Sequence, residues 1–222
     1  MFSSGDVLSR VFRIYRDQWA VLLGAAAIVY LIDLVAALLI GILAGIVALI
    51  AAVFYQGMVV DLVRDVQDGR RDSSLGQLFS SVKPVAFPLL AVAIVFGICV
   101  GIGLILLIIP GLYLLTIWAV AAPVVVIERP GVFTSFGRSR QLVRGHGWTV
   151  FGVIVLVFLI TIGINILAAA LADPLGDVGR ALIEWVASAI TSPLAALAAS
   201  VLYFELIGAE HPEEAPSYPS VA

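Results

Sequence analysis

Apolar residues fill long stretches of this chain, and short polar segments separate them. A helix needs about 20 apolar residues to cross the hydrocarbon core of a membrane. Between Trp19 and Val60 the only charged residue is Asp33, and the stretch has the length of two spans that turn near Gly41–Gly45. The pattern therefore predicts a helical hairpin that crosses the membrane twice.

The rest of the chain predicts two more hairpins. Residues 84–127 hold no charge, and Pro110-Gly111 divides them into a third span over about 84–109 and a fourth over about 112–127. A fifth span is predicted over 147–172 and a sixth over 185–204. The predicted fold class is an all-α integral membrane bundle of six transmembrane helices.

Three polar segments have the pattern of short amphipathic helices. Residues 4–18, 74–82 and 131–144 each bring apolar residues to one helical face and polar residues to the other. Such helices suit the membrane interface. Each precedes an odd-numbered span, which suggests three repeats of a leader helix followed by a hairpin. In the third leader helix the predicted apolar residues are Val132, Phe133, Phe136 and Val143.

Positive charges are strongly segregated if the spans are placed in this way. Eleven of the twelve Lys and Arg residues fall on one side of the membrane, and Arg180 alone falls on the other. Since positively charged loops stay in the cytoplasm, we expect both termini and the three leader helices there. The excess of arginine over lysine is typical of a GC-rich bacterial genome, so the predicted location is the bacterial plasma membrane.

Composition indicates that lipid is the solvent of this chain. Hydrophobic residues make up 62% of the sequence and charged residues 12%, whereas a soluble domain is about half apolar and about a quarter charged. Residues 1–207 are predicted to form one membrane domain. Residues 208–222, with three prolines and three glutamates, are predicted to form a disordered cytoplasmic tail.

Polar residues within the predicted spans form one candidate site. Asp33 is the sharpest of them, because a carboxylate inside a membrane is costly and often functional. Asn165, Ser188 and Thr191 would lie at a similar depth, where Pro193 is expected to kink the sixth span. Interrupted helices near the midplane often mark transporter sites. The alternative is that these side chains only hydrogen-bond between helices and hold the bundle together.

Arginines of the first and third leader helices form a second candidate site. Each arginine near a membrane surface is attracted to anionic lipid by about 1 kcal/mol, so the set is suited to lipid headgroups or to a membrane-protein partner. The alternative is that the positive-inside topology alone requires them. Glu128 is predicted to form an ion pair that locks a leader helix. The six arginines are Arg10, Arg13, Arg16, Arg138, Arg140 and Arg144.

Sequence motifs of enzymes are absent. The chain has no G-x-S-x-G, H-E-x-x-H or Walker A motif, and no Cys/His cluster that could bind zinc. Cys99 lies in an apolar run and is expected to pack as a small hydrophobic residue. We therefore expect no enzymatic activity, no metal and no cofactor. Acidic neighbours make the second inner loop nearly neutral, so no nucleic-acid binding is indicated.

Residues 108–148 carry a resemblance to a known family. The matching residues are Pro110-Gly111-Leu112-Tyr113, Ala122-Pro123, Glu128, Arg138-Ser139, Leu142, Arg144-Gly145 and Trp148, and later Leu202-Tyr203-Phe204-Glu205-Leu206. The pattern resembles the bacterial membrane domain of glycerophosphoryl diester phosphodiesterase over about residues 5–207. The resemblance implies a six-helix membrane domain. It implies no catalysis, because hydrolysis in that family belongs to a separate barrel domain.

Two functions remain open from the sequence. The first is a non-enzymatic membrane module that organises lipids or a membrane partner through its basic cytoplasmic face. The second is a small transporter or channel for a solute, ion or lipid, which would use Asp33 and the kinked sixth span.

Overall fold

The computed structural model describes residues 3–40, 44–69, 75–172 and 176–210, and the chain is all-helical in these ranges. Helices pack on helices throughout, so the core is made of interhelical contacts. The α-helices are α1 (Ser4–Asp17), α2 (Trp19–Ile40), α3 (Ala44–Gln67), α4 (Leu75–Val82), α5 (Ala86–Leu106), α6 (Ile108–Ile117), α7 (Ala121–Ile127), α8 (Val132–Val143), α9 (Gly147–Ala172) and α10 (Gly176–Glu210).

Five segments of the described chain are long and apolar enough to cross a membrane, where the sequence predicts six. The first predicted span falls on α2, whose described apolar stretch, Trp19–Ile32, is shorter than a span. The predicted turn at Gly41–Gly45 lies largely outside the described residues. The five segments are Gly45–Gln67, Leu75–Leu106, Ile108–Ile127, Gly147–Ala172 and Leu182–Glu210.

The second helix of each hairpin lies at the centre of the bundle. Helices α3, α7 and α10 contact one another, and each also contacts its own hairpin partner or the helix next to it. Burial follows this arrangement. Of the most apolar 18 residues of Leu182–Glu210, 61% are buried inside the protein, whereas the corresponding fraction in Gly147–Ala172 is 17%. The outer helices α5 and α9 therefore present most of their apolar surface outward, where lipid is the expected neighbour.

Helices α5 and α6 form a hairpin with a one-residue connection. Leu107 is extended (φ −156°, ψ 130°) and reverses the chain between the two helices. The sequence predicted the turn at Pro110-Gly111, but both residues lie inside α6. Proline is tolerated there because the N–H groups of the first helical turn have no partner in the helix.

Two glycines allow the close approach within this hairpin. A Cβ atom on Gly111 would lie 2.5 Å from Cγ of Leu104 and 2.6 Å from its backbone nitrogen. A Cβ atom on Gly103 would lie 3.0 Å from Cα of Gly111. By contrast, nothing described lies within 4 Å of a Cβ atom on Gly97 or Gly101. The glycine contact in α5 is thus made by Gly103, and the Gly97-x-x-x-Gly101 pattern faces outward.

The fourth and sixth predicted spans differ from the structure in continuity and in length. The fourth span is not one helix, because residues 118–120 form a turn between α6 and α7. Helix α10 has 35 residues and continues through Pro193. It also includes Gly208–Glu210, where the sequence predicted the start of the tail; residues 211–222 lie outside the described residues.

Candidate functional site

Three short helices stand at the positions of the predicted leader helices, and each packs on a central helix. Helix α1 contacts α10, α4 contacts α3, and α8 contacts α7. Val7 and Val11 of α1 are fully buried, as is Val82 of α4. Their apolar faces are therefore covered at least in part by the protein itself.

Arg10 ties α1 to the end of α10. Its guanidinium forms an ion pair with Glu205, whose side chain is only 12% exposed.

Helix α1 begins with a capping box in which Ser3 and Asp6 bind each other's backbone N–H groups. The hydrogen bond from the Ser3 backbone lowers the pKa of the Asp6 carboxyl. Since helix N-termini favour negative charge, this cap stabilises the start of α1 above the pKa of Asp6.

Arg138 ties α8 to two carboxylates. Its Nε lies 3.2 Å from Oε2 of Glu128, and its Nη1 and Nη2 donate to Glu210 at 2.9 and 2.6 Å. The hydrogen bonds with Glu210, followed by the charge of Glu128, raise the pKa of the Arg138 guanidinium above its usual value. The hydroxyl of Tyr203 donates to Oε1 of Glu128 at 3.1 Å. The ion pair predicted for Glu128 is confirmed, and it joins α7, α8 and α10.

Helix α4 is also joined to a carboxylate of a central helix, but through a hydroxyl group and not through an arginine. Ser81 donates to Oδ2 of Asp61 on α3 at 2.6 Å. Each short helix thus contacts a carboxylate towards the C-terminal end of a central helix. Helix α1 contacts Glu205 on α10, α4 contacts Asp61 on α3, and α8 contacts Glu128 at the end of α7. These residues define the charged end of the bundle. The contact of α1 with α10 joins the first and the last of the described helices.

A second set of arginines at the charged end points outward. Arg13 and Arg16 on α1 and Arg140 and Arg144 at the end of α8 are exposed. Each pair is followed by an exposed tryptophan: Trp19 is 58% exposed and Trp148 is 87% exposed. A shallow groove of about 610 Å³ lies along α1 and is lined by Ser9, Phe12, Arg13, Tyr15, Arg16 and Trp19.

The two leader helices that carry arginines share one arrangement. The first arginine of each, Arg10 or Arg138, is paired with carboxylates of the bundle. The last arginine, Arg16 or Arg144, is exposed three or four residues before an exposed tryptophan. The six candidate arginines are therefore of two kinds, and sequence reasoning did not separate them.

The apolar face predicted for the third leader helix is wrong in part. Phe133 is 80% exposed, whereas Ser135 and Ser139 are fully buried. Ser139 donates to the carbonyl of Ile117 at 2.9 Å, and Ser135 donates to the carbonyl of Gly131 at 2.6 Å. Small hydroxyl side chains that bind a backbone carbonyl can lie in a close contact between helices, so the buried face is not the most apolar one.

The predicted intramembrane residues lie in different environments. Thr191 is buried and donates to the carbonyl of Ala187 at 2.9 Å. Asn165 is exposed on α9 and donates to the carbonyl of Thr161 at 2.7 Å. Ser188 is half-buried on α10. Asp33 belongs to α2, but its side chain lies outside the described residues, so the predicted meeting of the four stays a prediction.

Sequence reasoning missed a group of hydroxyls around Pro193. Tyr15 of α1 donates to the carbonyl of Ile190 at 3.1 Å, and Tyr55 of α3 is buried with its hydroxyl next to Ser192. The only sequence signal was tyrosine within or beside an apolar run.

Among the residues that the structure describes, no three His, Cys, Asp or Glu side chains are grouped to hold a metal ion.

Comparison with known proteins finds a membrane protein relative. A UPF0259 membrane protein of Pectobacterium carotovorum subsp. carotovorum (strain PC1) is 30% identical over 124 residues, which are 56% of this chain and 49% of the relative. The chain thus spans about half the length of the curated relative it matches. No family model and no solved structure matches the chain.

This comparison corrects the family resemblance drawn from the sequence. Nothing found points to the membrane domain of glycerophosphoryl diester phosphodiesterase, so that assignment is wrong. Its motif consisted of small residues, arginines and interfacial aromatic residues, which helical hairpins with basic loops need in any family. The chain is a multi-pass integral membrane protein, similar over part of its length to a UPF0259 membrane protein.

Proposed function

We propose that this protein is a non-enzymatic membrane module that organises anionic lipids around its charged end. The observation that carries the proposal is the pairing of exposed arginines with exposed tryptophans on α1 and next to α8. Tryptophan and arginine together suit the boundary between headgroups and acyl chains, since one is amphipathic and the other binds phosphate oxygens.

The division of the arginines supports this proposal over a purely topological role. Arg10 and Arg138 are held by carboxylates and stabilise the bundle. Arg13, Arg16, Arg140 and Arg144 are exposed and are positioned to meet ligands outside the protein. At about 1 kcal/mol for each arginine near an anionic surface, four of them supply about 4 kcal/mol of attraction. This is about a thousandfold preference if the contributions add.

The proposed arrangement in the membrane completes this picture. Helix α2 forms the first of six spans, the charged end faces the cytoplasm of a bacterium, and α1, α4 and α8 lie at the inner interface. The positive-inside rule supports this orientation, and both termini would be cytoplasmic. The outward-facing apolar surfaces of α5 and α9 support immersion of the whole bundle in lipid.

Native mass spectrometry of protein released from nanodiscs tests the lipid proposal. Nanodiscs with equal amounts of phosphatidylglycerol and phosphatidylcholine should yield wild-type protein that retains mostly phosphatidylglycerol. We expect the quadruple variant Arg13→Gln, Arg16→Gln, Arg140→Gln, Arg144→Gln to lose this preference while it stays folded, because its arginines are exposed.

The matched control keeps the fold and changes charge elsewhere. Arg180 lies on α10 far from the charged end and contacts Glu184 at 2.9 Å. Arg180→Gln should leave lipid retention unchanged. Retention of both lipids in equal amounts by the wild type, or an unchanged preference in the quadruple variant, would refute the proposal. A protein retained in place of lipid would point to a membrane-protein partner.

A further inference from the structure

A groove between α2 and α3, here called the hairpin groove, ends at α4. Helix α2 contacts α3, and α4 contacts α3. A Cβ atom on Gly24 of α2 would lie 3.7 Å from Leu75 at the start of α4. A Cβ atom on Gly57 of α3 would lie 2.8 Å from Val82 at the end of α4. Helix α4 therefore crosses from α2 to α3 and closes the hairpin groove at the charged end.

The hairpin groove has the dimensions of one extended hydrocarbon chain. Its lining on α3 runs from Val47 to Met58, a length of about 17 Å at about 1.5 Å per residue. One leaflet of a membrane has a similar thickness, since the whole hydrocarbon core is about 30 Å thick. The groove volume is about 490 Å³, so its mean cross-section over that length is about 30 Å². A transmembrane helix, about 10–12 Å in diameter, is too wide to enter it.

The walls of the hairpin groove offer no polar contact. Among the described residues that line it, no side chain is charged or can donate a hydrogen bond. Ile28 and Ile32 of α2 and Ile50 of α3 lie along it and are 40–50% exposed. In a membrane, the occupant that suits such walls is hydrocarbon.

A lysine stands where the hairpin groove meets the charged end. Phe79 of α4 lines the groove and stacks on Phe54 of α3, with 5.2 Å between the ring centres. Nζ of Lys83, the residue that follows α4, lies 5.4 Å from the centre of the Phe79 ring. Lys83 is exposed, so its ammonium group is available to a phosphate oxygen at the level of the lipid headgroups.

We propose that the hairpin groove binds one acyl chain of a phospholipid, with the phosphate of the same lipid at Lys83. The lipid would come from the leaflet next to the charged end, because the groove begins at α4 and extends about one leaflet from it. This inference goes beyond the proposed function, since none of the exposed arginines takes part. The site would remain if those arginines bound no lipid.

Photolabelling of the protein in detergent tests the site. The probe is one equivalent of phosphatidylcholine with a diazirine on one acyl chain, and its headgroup carries no net charge that the exposed arginines could select. We expect more label in the hairpin groove than on Ile166 of α9, which is 65% exposed. A diazirine near the carbonyl of the chain should label close to Phe79, and one near the methyl end should label close to Val47. Equal labelling of the groove and Ile166 in the wild type would overturn the proposal.

Filling the hairpin groove should displace the chain. Gly76 of α4 lines the groove, and nothing described lies within 4 Å of a Cβ atom there. Gly76→Leu should therefore lower groove labelling to the level of Ile166. The matched control is Gly97→Leu, which adds the same side chain in open space on α5 and should leave groove labelling unchanged.

Two further variants separate this site from the lipid surface of the exposed arginines. Lys83→Gln should lower groove labelling about two- to fivefold, the range of one exposed ion pair. The quadruple arginine variant should keep the groove labelling of the wild type, whatever its lipid preference. Unchanged labelling in Gly76→Leu, or a groove protected from the probe by a second copy of the chain, would contradict the proposal.

Discussion

Replacing Arg138 by glutamine is expected to lower the free energy of unfolding by about 2–3 kcal/mol, somewhat below the cost of breaking a fully buried ion pair. Arg138 separates the carboxylates of Glu128 and Glu210, and its side chain is 24% exposed. Without it the two carboxylates remain together at the junction of α7, α8 and α10. Unfolding by sodium dodecyl sulfate in mixed micelles, followed by circular dichroism, measures the change.

Arg140 provides the matched control for this prediction. It lies two residues further along the same helix and is exposed, so Arg140→Gln should change stability by less than about 0.5 kcal/mol. Adding Glu210→Gln to Arg138→Gln should restore part of the loss, because only one of the two neighbouring carboxylates then carries a negative charge. Equal stability of Arg138→Gln and Arg140→Gln would show that the ion pairs do not hold α8 in place.

Replacing Gly111 by alanine is expected to destabilise the bundle by about 1–3 kcal/mol through overpacking. The added methyl group would lie 2.6 Å from the backbone nitrogen of Leu104. A backbone atom cannot move aside as a flexible side chain can, so α5 and α6 must separate at their one-residue connection. The midpoint of thermal unfolding in detergent measures the effect.

Gly97→Ala is the matched control, because it makes the same change on the same hairpin. No described atom lies within 4 Å of the new methyl group, and alanine stabilises a helix interior by roughly 0.5–1 kcal/mol relative to glycine. We expect Tm to stay the same or to rise. A fall in Tm as large as that of Gly111→Ala would mean that Gly97 contacts another chain or that the hairpin is open.

The sequence predicted the helices well because lipid imposes a simple rule on them. Apolar runs of sufficient length must be helical in a membrane, and five of the six predicted spans coincide with helical segments that are long and apolar enough to cross one. The α5–α6 turn was misplaced because Pro110 usually marks a break, although it is compatible with a first helical turn. Pro110 lies in the first turn of α6, next to the close contact between Gly103 and Gly111. The apolar pattern of the sequence does not indicate this contact.

The candidate sites were harder to predict than the spans. Charge alone cannot separate Arg138 from Arg140, since only the packing of α8 decides which of them meets Glu128. The buried face of α8 includes Ser135 and Ser139 in place of Phe133, and hydropathy does not indicate such a face. Tyr55 and Ser192 are far apart in sequence, and only the contact of α3 with α10 brings them together.

Quenching of single-tryptophan variants by brominated lipids measures most directly whether the exposed arginines recruit anionic lipid. In a protein that keeps only Trp148, brominated phosphatidylglycerol should quench more strongly than brominated phosphatidylcholine at equal mole fraction. Arg140→Gln with Arg144→Gln should remove the difference. A protein that keeps only Trp185, which lies in the half of α10 away from the charged end, should show no difference. Equal quenching of Trp148 by the two lipids would contradict the proposal that the charged end organises anionic lipid.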